Sequence, residues 1–213
     1  MNETPTIQVR GSAMVRTEPD EALLWITLTK VDAPGPALAD VSARSRTLVT
    51  MLDELEIPSA HRTTTGVSVS EEVEHTNRGR RSLGHRATTR VVLRLTDPEL
   101  IGELVSRVAG ELDAGIEGPQ WRVALDNPIR LEAAREAARD AERKARAYAE
   151  GLGAQLGRPL RLTEPEGRHF ARAGAWVAAG GGDLDTVPID PGEHEVIASI
   201  EVTFALEPDD GRA

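Results

Sequence analysis

Five histidines, many carboxylates and a Gly-Gly-Gly-Asp-Leu-Asp run are where this chain could do chemistry. Imidazole and carboxylate are the side chains that bind zinc and similar ions when the chain has no thiolate. Glu71 and His75 share one face of a strand. At ~3.3 Å per residue they stand roughly 13 Å apart, too far for one metal. In Glu193-His194-Glu195, strand alternation turns the imidazole away from both carboxylates. Residues 180–185 resemble one turn of a calcium-binding repeat, but the run occurs once and such repeats work by stacking. No metal site is assigned. The chain has no Gly-rich phosphate loop ending in Gly-Lys-Ser/Thr and no Gly-x-Ser-x-Gly nucleophile turn. Carboxylate pairs for glycoside chemistry meet only in a fold. No catalytic residue, cofactor-binding residue or cofactor is therefore expected.

Two groups of residues suit contact better than chemistry. Arg78, Arg80 and Arg81 crowd the tip of a long hairpin, with Arg86 and Arg90 behind them. In an acidic chain they could dock an acidic partner; equally, they could keep a solvated tip from pairing edge to edge. Phe170 and Trp176 lie in an aperiodic stretch and are either loop anchors or contact residues of the kind enriched at interfaces.

The elements that must position these groups follow from periodicity. Ile7, Val9, Gly11, Ala13 and Val15 alternate with polar residues, as a strand does. A second strand carries Ala22, Leu24, Ile26 and Leu28 on one face. A helix follows over about residues 37–54, with Pro58 as its stop. Strands with Val67, Val69 and Val73, then Thr89, Val91, Leu93 and Leu95, form the long hairpin. Asp97-Pro98 opens a short helix, with Asp97 as N-cap. Trp121, Val123 and Leu125 read as a further strand. Then comes the longest signal in the chain. Ala133, Ala137, Ala141, Ala145 and Ala149 recur every fourth residue, and Gly153 and Gly157 continue the step. That spacing makes one nearly bare helical ridge, suited to close packing on a sheet. Its other faces offer Glu136–Arg139, Asp140–Lys144 and Glu142–Arg146 pairs. A strand at residues 160–162 follows the Gly157 stop, then the aperiodic residues 164–195, then an alternating strand from Val196 to Leu206.

This order predicts an α+β protein: a largely antiparallel sheet, hairpins crossed by helices, and the Ala-rich helix packed on the sheet. The expected domain spans residues 5–207, as one body or two closely packed lobes, with a disordered tail at 208–213. Net charge is -10, which opposes nucleic-acid and anionic-membrane partners. There is no cysteine, which removes disulfides and thiol redox chemistry. No apolar run reaches the ~20 residues of a membrane span, and no leader is evident at the start, so a cytoplasmic protein is expected.

A set of ordered motifs resembles the SIMPL-domain family, named after a signalling molecule that associates with a mouse pelle-like kinase. The motifs are Ile7-x-Val9-x-Gly11, Pro19-Asp20-x-Ala22, Gly84-His85-x-Ala87, the Ala ridge ending Gly153-x-x-x-Gly157, then Glu164 and Pro191-Gly192-Glu193. His85 departs from the aromatic residue, such as Tyr, common there. The resemblance implies an α+β fold, self-association and no established enzymatic activity. It links bacterial relatives to oxidative-stress defence and the animal relative to kinase signalling as a binding protein. It brings no catalytic residues. The expected function is a non-catalytic protein-binding and assembly protein, homo-oligomeric, stress-related, with an unidentified protein partner. The alternative is a small-molecule-binding protein or undetected hydrolase with residues 164–195 as its lid.

Overall fold

A computed structural model describes residues 5–76, 79–165, 172–173 and 189–208. In chain order its elements are β1 (Thr6–Thr17), β2 (Glu21–Asp32), α1 (Pro34–Glu54), a 3-10 turn (Ser59–His61), β3 (Arg62–Thr76), β4 (Gly79–Leu95), α2 (Pro98–Glu111), β5 (Ala114–Arg122), α3 (Ile129–Gly151), β6 (Ala154–Thr163), β7 (Arg172–Ala173) and β8 (His194–Pro208). The strands form two antiparallel sheets, so the fold is α+β. The chain divides into two compact units, each with its own sheet.

The first unit contains β1, α3, β6, β7 and β8, with strand order β1-β8-β6 and β7 paired to β8. α3 lies across this sheet, as its ridge predicts. Ala133, Ala137, Ala141 and Ala145 are fully buried against Val9, Val196, Ala198, Val202 and Phe204. Methyl groups alone bring the helix close, and Gly11 on β1 removes the last obstacle. A Cβ there would lie 2.7 Å from the Ala141 Cβ. The Asp140 carboxylate then accepts the Ser12 backbone N–H at 2.9 Å, and Lys144 donates to the Arg10 carbonyl at 3.1 Å. A 2.6 Å ion pair joins the two side chains. Together they occupy backbone groups on the outer edge of β1.

The helix stops earlier than its ridge suggests. It ends at Gly151, and Gly153 takes φ +67, the left-handed conformation that terminates helices. Gly157 is no stop; it sits inside β6, packed against Ala205. β6 therefore begins six residues before the expected strand at 160.

The second unit contains β2 to β5 with α1 and α2, in strand order β3-β4-β2-β5. Ala22, Leu24, Ile26 and Leu28 are fully buried under the helices, while Leu23 and Trp25 on the opposite face are half-buried. α1 starts at Pro34 and ends at Glu54, before Pro58, with Glu56 at φ 54 turning the chain away. α2 is capped as expected, Asp97 accepting the Glu99 N–H at 2.9 Å. Leu48, Met51, Leu52, Ile101, Leu104 and Val108 close the core. The strand expected around Trp121, Val123 and Leu125 is instead β5, which starts at Ala114 and ends at Arg122. Leu125 lies outside it, 89% exposed. Glycines at 115 and 118 and Pro119 hide β5 from a propensity reading.

Candidate functional site

In the second unit α1 lies over β2 and β4 but not over β3, the outer strand. The sheet therefore extends past the helix and leaves a groove of ≈ 340 Å³ along the α1 flank. One wall is a stripe of α1 at steps of four, three and four: Leu38, Ser42, Ser45 and Val49. The floor is Thr64 and Val67 of β3 with Thr89 and Val91 of β4, and Arg62 stands among the lining residues.

A bulge builds this floor. Thr64 pairs with Val91 and Val67 with Thr89, so Thr65 is accommodated out of register. Three residues apart would ordinarily mean opposite faces of a strand; the extra residue brings Thr64 and Val67 to the same one. Val69, opposite Ala87, and Glu71, opposite His85, continue that face. A second irregularity follows Glu72, where Leu83 is the extra residue on β4.

Several polar groups in the groove are occupied from within. The Ser45 hydroxyl donates to the Val41 carbonyl at 2.8 Å and Thr89 to the Gly66 carbonyl at 3.2 Å. Arg62 donates to the Ile57 carbonyl and forms a 2.7 Å ion pair with Asp53. Leu38, Val49, Val67 and Val69 are exposed on this side, Val67 by 64%, with the exposed Thr64 beside them. Among the described residues no histidine or carboxylate lines the groove, which can hold an apolar surface.

The described arginines of the hairpin face carboxylates and hydroxyls of neighbouring strands. Arg80 and Arg81 are exposed near the start of β4. Arg80 pairs with Glu71 at 2.6 Å, and Arg81 stands opposite Glu74 in the register. Arg86 grips Glu72 with two 2.7 Å hydrogen bonds. Those bonds hold the Glu72 carboxyl below the usual glutamate range and raise the Arg86 guanidinium above its own. Arg90 reaches the Thr27 hydroxyl at 3.3 Å. Arg78, Phe170 and Trp176 lie outside the described residues, as do His169 and most of residues 164–195. His194 is buried, and Glu195 next to it pairs with Arg16 at 3.3 Å. Among the described residues no three His, Asp or Glu side chains group to hold a metal ion. Among them, no helix is long and apolar enough to cross a membrane.

The sequence reading missed the groove. The one signal for it in the sequence is the α1 stripe itself, where Leu38 is 42% exposed and Val49 is 50% exposed.

The long outer strands β1, β3, β5 and β6 differ in how their backbone edges are protected. β1 has Asp140 and Lys144 on its edge. β6 carries Arg158, Pro159 and Arg161, with its register broken at Pro159. β5 has Pro119, which lacks an N–H, and a register break opposite Leu23 and Trp25. On β3, residues 66–70 (Gly-Val-Ser-Val-Ser) run in unbroken register, all exposed, with no charge and no proline. Charges, prolines and bulges are the usual deterrents to edge pairing. Past Thr65, this run has none of them.

A family model described as SIMPL, protein of unknown function (DUF541), matches residues 7–204. The chain belongs to that family. No curated protein matches it.

Proposed function

We propose that this SIMPL-family protein is a non-catalytic binding and assembly protein that self-associates along β3. The carrying observation is the contrast between edges: residues 66–70 lack the devices that shield β1, β5 and β6. Antiparallel pairing of β3 with β3 of a second copy satisfies the open backbone groups of both and is self-complementary, as a twofold interface requires. The groove beside β3, with no acid–base pair in its lining, supports binding over hydrolysis. A stress-related role then works through contacts between proteins, since the chain has no thiol to oxidise.

Light scattering of the purified chain tests the reading. A dimer is expected, converting to monomer in Ser68→Lys/Ser70→Lys, whose like charges oppose one another across the paired edge while leaving the groove face untouched. A wild-type monomer at high concentration, or a double variant that stays dimeric, rules β3 out.

A further inference from the structure

The geometry points to a second binding site that exists only in the assembled pair: we propose that two copies joined along β3 form one trough that takes a single amphipathic α-helix from a partner protein. This rests on the β3 pairing proposed above.

An antiparallel pair of neighbouring strands is related by a twofold axis perpendicular to the sheet, so both copies keep α1 on the same face. Strand order across the pair becomes β5-β2-β4-β3, then β3-β4-β2-β5 of the second copy. Since α1 covers β2 and β4, its axis sits about half a strand spacing beyond β4. The two α1 axes are then four strand spacings apart, ~19 Å at ~4.8 Å each. Helices pack at axial distances of ~8–10 Å, so two such distances span the same ~16–20 Å. One helix fits between the walls, in contact with both. Two would clash, and an extended strand would leave the walls untouched. Sheet twist turns each wall by roughly 40–50° from the central helix, similar in magnitude to the ~50° of the commonest helix-packing class.

The lining sets the chemistry of the occupant. Leu38 and Val49 stand exposed on each wall, and Val67 and Val69 on the floor beside the methyl-bearing Thr64. Ser42 and Ser45 are small enough to let a helix come near. The Arg62 charge is already engaged by Asp53. A partner helix must therefore be apolar over its floor and both flanks, with a polar strip only on top.

The test uses the full chain and a fluorescent 18-residue peptide of Leu, Ala, Glu and Lys, apolar over about two thirds of its circumference. We expect saturable binding at one peptide per two chains, with a gain in helical circular dichroism. Leu38→Glu and, separately, Val49→Glu should weaken binding at least tenfold while light scattering still reports a dimer. Both residues are already exposed, so neither change disturbs the core. A dimer that ignores the peptide, takes one per chain, or binds a proline-interrupted control equally well overturns the trough and leaves the β3 pairing standing. Failure of both wall variants to weaken binding also overturns it. A monomeric wild-type chain removes the pairing, and the trough with it.

Discussion

Gly11 lies directly beneath Ala141, and nothing larger than hydrogen fits between them. A Cβ at residue 11 would stand 2.7 Å from both the Cβ and the backbone nitrogen of Ala141, and would strike the Ala137 carbonyl oxygen. Backbone atoms of a 23-residue helix cannot step aside for one methyl. Gly11→Ala should therefore cost about 1–3 kcal/mol, and Gly11→Val more. Urea unfolding reads this as a lower midpoint at unchanged slope. A neutral Gly11→Val would mean that α3 does not rest on β1.

Asp140 ties the same helix to the edge of β1. Its carboxyl sits below the ordinary aspartate range because Lys144 and the Ser12 N–H both bond to it, with Arg143 adding its charge. A carboxylate with a depressed folded pKa adds stability above its unfolded value, ~3.9, and loses that contribution as pH falls through the folded one. Unfolding midpoints measured from pH 6 down to pH 2 should drop in this acid window. Asp140→Asn, which still accepts from Ser12 but cannot titrate, should be less stable at pH 6 and show a shallower acid decline. Equal slopes for the two proteins would remove Asp140 from the account.

The Arg86–Glu72 fork on the hairpin makes a local prediction. In Arg86→Leu the Glu72 carboxyl loses its chief stabilising donor and should return toward the ordinary ~4.3 of glutamate. Carboxyl carbon shifts followed by NMR titration measure this directly. Because the pair is on the surface, the unfolding midpoint should hardly move. A Glu72 that titrates identically in both proteins contradicts the fork.

Peroxide should be untouched. The chain has no cysteine, and of its methionines Met51 is buried while Met14 is 55% exposed. A surface thioether reacts once and is not regenerated by the protein itself. Peroxide loss catalysed by the pure chain should equal the buffer blank, and multiple turnovers would disprove it.

The parts of this fold that could be read in advance are those where one period controls a long segment. The four-residue Ala step of α3 has a single geometric solution, as does the strict alternation of β8. The Asp97-Pro98 cap is a local device, visible without any partner. What escaped depends on partners far along the chain. Gly157 looks like a helix stop until Ala205 is placed against it. β5 carries two glycines and a proline and is a strand only because β2 offers a template. The groove needed a bulge at Thr65, which alternation counting cannot register, and a β3 lying beyond the reach of α1. The hairpin arginines were legible as a cluster; the register that sets Glu71, Glu72 and Glu74 among them was not.

The buried row of alanines has a consequence for how this protein can change. Each methyl is already near the lower limit of side-chain volume and has no rotamer to give up, so almost every substitution along the row adds bulk. Drift there meets a wall on one side only. Variation must therefore accumulate on the exposed faces of the chain, while the seam beneath α3 stays as it is.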